Sequence, residues 1–387
     1  MIHARALSIM FVAAALTAAT SAAAQSAPPG KPGLVSWAEP TAVEVHPQSE
    51  AEKRAGMVSG RALPVPELLQ PSLDPTLPTF VPAKGLRFGK AYRAGSSDVL
   101  PGLVTAWIAA FRKYHPAFRM EIAHPLAGSL GALELIKGNL DLVFVSRELK
   151  PSDISAFRDK FGYDPLSVPI SGGTWRHFGF LDALAIMVNP ANPVRQLSFQ
   201  QLDAAFSRTR WRGGAMPRTW GDLGVTGEYA GHPIHLYGIK PWNGFEEFVR
   251  QRVLSTPGHR GEWNDAAIHY DETFFAVARR VAVDPDALGY TGLSAMDSEV
   301  KVVPVSVDGG PALSPSYENV AAATYPLSRL VYLNTNAPSG AKLDPVLREF
   351  LHFILSREGQ AVVRDQRIYL PLRGFQTTAG RLQIDRQ

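Results

Sequence analysis

Cysteine is missing from all 387 residues. Its absence excludes disulfide staples, a thiol nucleophile, iron–sulfur clusters, cysteine zinc sites and a lipid anchor on an N-terminal cysteine. Strong charge of one sign is missing too. Lys and Arg number 39 against 35 Asp and Glu, and no basic run gathers the net +4 into a nucleic-acid footprint. Beyond the first two dozen residues, no stretch approaches the roughly 18 apolar residues of a membrane-spanning helix. There is no P-loop, no dinucleotide fingerprint, no Gly-x-Ser-x-Gly elbow and no repeat of fixed period. What is present is an ordinary globular balance, 45% hydrophobic and 19% charged, in a chain long enough to favour two or more lobes.

The first residues carry an address. His3 and Arg5 precede a small-residue and apolar run from Ala6 to Ala19, and Ala22 and Ala24 supply the small side chains that a signal peptidase pocket reads. Residues 1–24 are therefore expected to be a signal peptide cleaved after Ala24, and the mature chain to be exported and periplasmic. Residues 25–85 read as a proline-rich arm. Recurrent prolines deny the backbone donors that a helix or central strand requires, and only Val65–Leu73 offers a short packed element.

From Leu86 onward strand and helix alternate. Leu86–Tyr92 is a strand candidate ending in the turn Ala94-Gly95-Ser96-Ser97. Leu100, Leu103, Val104, Trp107, Ile108 and Phe111 then form one helical stripe. Met120–Ala123 is a strand, Gly128-Ser129-Leu130-Gly131 opens a helix closed by Gly138, and Leu140–Val145 is an apolar strand ending in Ser146-Arg147. Further strands are expected at Ala183–Val188, Ile234–Tyr237, Leu288–Tyr290 and Leu330–Leu333. Helices are expected at Phe199–Phe206, at the segment after Asn243-Gly244, at Thr273–Val283, across Leu343–Ile354 and at Glu358–Asp365. Strand, Gly/Ser turn, helix, strand is the grammar of a sheet covered by helices.

Three of these turns bear on chemistry. A helix start leaves amides unpaired and carries about half a positive charge, so it attracts anions. Ser96-Ser97, Ser129 and Asn243 each stand at such a start, with glycine neighbours that let backbone approach a ligand. Singly, each is accounted for by plain N-capping. Converging, they would surround one oxyanion.

The chain also resembles a known family. AGSSDVLPGLVTAW (94–107), AGSLGALELIKGNLDLVFVSREL (127–149) and DALAIMVNPANPVRQLSFQQLDAAFS (182–207) are followed by TWGDLG (219–224), ALGY (287–290) and YPLSRLVYLNTN (325–336). LDPVLREFLHFILSREGQAVVRD (343–365) and YLPL (369–372) complete the series. Together they resemble the phosphate-binding periplasmic proteins of ABC transporters, the PstS-like branch of the type II periplasmic binding protein fold.

The resemblance implies an α/β chain of two lobes, each a mixed sheet flanked by helices, joined by two crossing strands. On that pattern lobe 1 takes 86–183, lobe 2 takes 184–325, 326–372 returns to lobe 1, and 373–387 is a tail. Carried across, the ligand-binding residues are Gly95, Ser96, Ser97 and Asp98, then Gly128, Ser129 and Leu130, then Ser146 and Arg147. From the other lobe come Lys240, Asn243 and Gly244. The family's arginine followed by Ser-Gly-Thr reads here Lys240-Pro241-Trp242-Asn243-Gly244-Phe245. Lys240 offers a point charge in place of a bidentate fork, and Phe245 supplies no hydroxyl. Asp98 suits an anion loop only where the ligand is protonated and donates to it.

Enzyme signals are thin. Ser339-Gly340-Ala341-Lys342 has serine–lysine spacing but lies in a Pro/Gly loop without a KTG partner, and reads as capping. His232-Pro233-Ile234-His235 lacks the helical geometry of a metalloprotease pair, and Asp284-Pro285-Asp286 reads as a turn. The ten histidines read as scattered surface or core residues without carboxylate partners at ligand spacing. The expectation is a non-enzymatic, monomeric receptor without metal or cofactor. It would capture phosphate or a related small oxyanion and deliver it to an inner-membrane ABC permease. The alternative is a secreted interaction protein on the same fold with an altered ligand.

Overall fold

In the computed structural model, residues 73–124, 128–176, 181–239, 244–295, 299–338 and 342–386 are described, together with a short antiparallel strand pair, Glu44–Val45 with Glu67–Leu68. The expected signal peptide and most of the arm lie outside them, so the fold is that of the body.

Two five-stranded sheets organise the chain. The first is built from β1 (Ala91–Ser96), β2 (Arg119–Ile122), β3 (Leu142–Val145) and β4 (Leu166–Gly172). The second follows with β5 (Leu184–Val188), β6 (His235–Ile239), β7 (Ile268–Asp271), β8 (Ala287–Gly292) and β9 (Lys301–Val303), after which β10 (Leu330–Thr335) returns to the first. Strand order is β2-β1-β3-β10-β4 in the first sheet and β7-β6-β8-β5-β9 in the second. β10 runs antiparallel to both β3 and β4, and β5 antiparallel to both β8 and β9. Each sheet is thus mostly parallel, with one returning strand.

Helices cover the first sheet on both faces. α1 (Pro101–Arg112) buries Leu103, Val104, Trp107, Ile108 and Phe111, the stripe expected from its spacing. α2 (Gly128–Lys137) and α3 (Pro151–Phe161) cover the opposite face, where Leu135, Val143, Val145, Phe157 and Tyr332 form their own apolar cluster. In the second lobe α4 (Phe199–Phe206), α5 (Gly244–Val249), α6 (Phe274–Val283) and α7 (Tyr317–Ala321) pack around a separate core. α8 (Pro345–Ile354), α9 (Arg357–Asp365) and α10 (Gly374–Asp385) close lobe 1. Pro101, Pro151 and Pro345 each occupy the first helical position, where no amide bond is lost.

Several boundaries differ from expectation for one reason: tertiary packing overrides local turn chemistry. The strand expected at Leu86–Tyr92 lies at Ala91–Ser96, so the supposed turn residues Ala94-Gly95-Ser96 are strand. A Cβ on Gly95 would fall 2.8 Å from Leu140 Cδ1, and one on Gly131 would fall 2.4 Å from Val143 Cγ2. These glycines let α2 lie flat on β1 and β3. α3, β4 and α10 were not anticipated. The segment expected as a tail is a helix whose Gln383 donates to the Ser167 carbonyl, 2.8 Å away.

Residues 74–83 form a strap across the back of lobe 1. Gly374 N–H donates to Asp74 at 2.9 Å, Phe80 N–H to Glu358 at 2.7 Å, and Ala83 N–H to Glu349 at 2.7 Å. The Phe80 ring packs edge-on to Tyr114 and Phe353, 5.1 and 5.2 Å between centroids. Replacing a buried phenylalanine by alanine typically costs about 3 kcal/mol or more. Phe80→Ala is expected to lower unfolding free energy by about that amount, measured by urea denaturation; an unchanged midpoint would mean that the strap adds nothing to the lobe.

Candidate functional site

All strand ends that carry candidate residues face the seam between the lobes. β1, β3 and β4 deliver their carboxyl ends there, as do β6 and β8 from the second sheet. Open α/β sheets bind ligands at such ends. Two connections cross the seam, stitched by Gly173 N–H to the Arg329 carbonyl (2.8 Å), Thr174 N–H to Leu181 (2.8 Å) and Leu184 N–H to Leu327 (3.1 Å).

Ser96 and Ser97 are buried at the end of β1. They do not cap α1 as expected: Leu100 is the N-cap residue, without a side-chain bond. Ser97 instead ties β1 to β3. Its Oγ accepts the Ser146 N–H at 3.2 Å and the Ser146 hydroxyl at 3.4 Å, while its N–H donates to the Phe144 carbonyl at 2.9 Å. Both contacts use Ser97 Oγ as an acceptor, so its own proton is available to donate. Ser96 Oγ donates to the Ser97 carbonyl at 3.0 Å. Asp98, next in sequence, is exposed.

Arg147 is the buried cation of this group, its side chain 9% exposed. The adjacent residue, Glu148, engages it through the backbone: Arg147 Nη1 donates to the Glu148 carbonyl at 2.7 Å and lies 3.6 Å from Asp153. Nη2 is buried without a partner among the described residues. A buried donor left unmade costs about 1–3 kcal/mol, and more when charged. Such an atom at converging strand ends suits an anionic acceptor.

The remaining candidates are placed in part. Gly128, Ser129 and Leu130 open α2, and Gly244 opens α5. Lys240, Trp242 and Asn243 lie outside the described residues, as does Ser339 of the serine–lysine pair.

Sequence reasoning missed the groups that complete the seam. Glu148 points its carboxylate to Arg252, just after α5, and accepts the Tyr332 hydroxyl at 2.8 Å. Burial pushes the Glu148 carboxyl up, but Arg252, Tyr332 and Arg329 outweigh it and hold it below its usual range. Arg329 is buried beside them, brought down to about 10 by desolvation although Asp182 and Glu148 oppose the shift. The Arg252 and Arg329 guanidiniums both approach the Phe248 ring, 5.6 and 5.5 Å from its centroid. Asp182, on the first crossing connection, accepts the Ser294 N–H (3.0 Å) and hydroxyl (2.7 Å). The only advance signal was charge inside apolar stretches, as in Leu327-Ser328-Arg329-Leu330.

Four histidines do have carboxylate partners, contrary to expectation. His232 pairs with Asp286 and His235 with Asp284, each at 2.8 Å, and His115 with Glu349 and His352 with Asp385, each at 3.1 Å. His235, Asp284 and Asp286 each bring one potential ligand atom within 4.8 Å of the others. They lie at the amino ends of β6 and β8, away from the seam, and Tyr237 and the Asp286 N–H also bond to Asp284.

Burial raises Asp182 from 3.8 to about 6 despite its Ser294 bonds. A carboxyl raised on folding contributes most while protonated, and its contribution falls as pH rises from about 4 to 6. Asp182→Asn is therefore expected to gain stability relative to the parent across that window, by about 3 kcal/mol. Thermal unfolding at pH 4 and pH 7 checks it; a stability difference independent of pH would contradict it.

Comparison with known proteins completes the picture. The sequence profile described as PBP superfamily domain matches residues 89–358. Phosphate-binding protein PstS of Pseudomonas aeruginosa is 33% identical over 303 residues, which is 78% of this chain and 88% of that protein. Protein SphX of Synechococcus elongatus is 24% identical over 296 residues, 76% of this chain and 81% of the other. The crystal structure of PstS from Borrelia burgdorferi superposes with a TM-score of 0.51 at 14% identity, covering 73% of this chain and 99% of that one. At that identity the superposition speaks for fold alone, the two-lobed type II periplasmic binding protein fold.

Proposed function

The chain belongs to the PBP superfamily, in its PstS-like branch, and from that premise we propose that it is a periplasmic receptor that captures inorganic phosphate for an ABC importer. The observation that carries the reading on this chain is Arg147 Nη2, a buried guanidinium nitrogen at the strand ends with no partner among the described residues. A phosphate oxygen there completes a charge-assisted bond of the stronger kind. The named relative from Pseudomonas aeruginosa is itself a phosphate-binding protein.

The proposed ligand shell has two sides. Lobe 1 contributes Arg147, the Ser97 hydroxyl, whose proton Ser96 and Ser146 leave free, and the amides that open α2 over Gly128, Ser129 and Leu130. Lobe 2 contributes Lys240, Asn243 and Gly244. Bound anion then favours the closed arrangement because only there do both lobes touch it. Selectivity follows from dehydration: an anion that leaves any of these donors unpaired in the closed seam forfeits about 1–3 kcal/mol per donor.

The Pseudomonas aeruginosa relative is a binding protein by name, and this reading assigns no catalysis. It also takes residues 1–24 as the export signal, removed after Ala24, and the mature protein as a monomer that docks on an inner-membrane permease.

Calorimetry with inorganic phosphate tests the site. Arg147→Ala is expected to weaken affinity by about 100-fold or more, as truncating one partner of a buried charge pair does, while the variant keeps its cooperative melt. Unchanged affinity would remove Arg147 from the shell. A parent protein that binds no phosphate would defeat the reading as a whole.

A further inference from the structure

We infer that Glu148 of lobe 1 and Arg252 of lobe 2 form a latch across the seam that holds the lobes together before any anion arrives. The inference rests on the receptor reading above and adds regulation to the same site. Its starting point is that this ion pair joins groups 104 residues apart, from two separately cored lobes.

Glu148 is well placed for the role. Its backbone carbonyl orients Arg147 Nη1, and its side chain faces the other way, toward Arg252 and Tyr332. One residue therefore links the anion-facing guanidinium to the opposing lobe. Tyr332, anchored in β10, fixes the carboxylate from behind, so Arg252 meets an acceptor that needs little ordering.

Lobe 2 prepares its half equally. The segment after α5 winds as a π-helix over Arg250–Leu254, which carries Arg252. Arg212 donates to the Arg252, Val253 and Ser255 carbonyls at 3.1, 2.7 and 3.1 Å, pinning that turn from outside. The Arg252 guanidinium lies over Phe248, which also faces Arg329 at the root of β10.

A weaker cross-lobe influence has the opposite polarity. Lys150, two residues beyond Glu148, acts on Glu247 of lobe 2, whose carboxyl burial raises but which Arg260 and Lys150 together hold low. Arg260 grips Glu247 with two nitrogens at 2.8 and 2.6 Å. A cation of lobe 1 thus also acts on an acid of lobe 2, in addition to the direct Glu148–Arg252 pair. A latch of this kind raises the population of the binding-competent closed form, and apparent affinity scales with that population.

The test uses the full chain, stripped of anions, with small-angle X-ray scattering for lobe separation and calorimetry for inorganic phosphate. Glu148→Gln and Arg252→Met, taken from opposite lobes, are each expected to enlarge the radius of gyration without ligand. Each should also weaken phosphate binding about three- to tenfold, a modest shift because the pair is partly exposed. Joining Glu148→Arg with Arg252→Glu should restore both readouts. Parent-like scattering in both single variants would overturn the latch, as would a swapped double variant that stays open. If the parent binds no phosphate but the single variants still open, the latch stands and the phosphate reading falls. Tight phosphate binding with unchanged scattering gives the reverse.

Discussion

Arginine buried between two independently cored lobes is the constraint on which this molecule turns. A guanidinium cannot shed its proton at any physiological pH, so every buried one must find acceptors. Arg147 and Arg329, both buried, and the partly exposed Arg252 converge on a seam where Glu148, Asp153 and Asp182 are the described carboxylates facing them. Glu148 serves Arg252, and Asp182 is itself pushed toward the neutral form by burial. Among the described residues, Arg147 Nη2 is therefore left without an acceptor. The chain's nearly balanced total charge hides this, because the shortfall is local and internal.

That shortage gives the site its direction. A receptor that supplied a full complement of carboxylates would be better satisfied alone and would repel an anion. One with none would hold its lobes apart by repulsion. The observed arrangement lies between, with Glu148 turned toward the opposite lobe and only its carbonyl given to Arg147. The acid is thus spent on bringing the lobes together while a buried nitrogen beside it still lacks an acceptor.

Much of the fold was legible because it follows from periodicity. The α1 stripe, the buried run of β3 and the helices at Phe199–Phe206 and, one residue shorter than expected, Phe274–Val283 stand where spacing places them. What misled was glycine and serine. In Ala94-Gly95-Ser96 small residues signal a turn locally, yet they serve a strand against which α2 must lie close. The site was half legible. Arg147 stands out as a charge ending an apolar strand, whereas Arg252, Arg329, Asp182 and Phe248 acquire meaning only when segments 70 to 180 residues apart meet. Family likeness named candidate loops and offered nothing on charges between lobes.

Lobe 2 is contiguous in the chain, whereas lobe 1 is assembled from both flanks: β10 sits between β3 and β4, and Asp74 binds the amide of Gly374, 300 residues on. During synthesis the inner lobe can condense as soon as its own strands are made. The outer lobe stays an incomplete sheet with an unpaired gap until β10 (Leu330–Thr335) is made. High sequence separation makes that closure slow. The unfinished edge is thus a stretch of exposed β3 and β4 backbone during folding, and keeping it apart from other chains is the quality-control problem this topology creates.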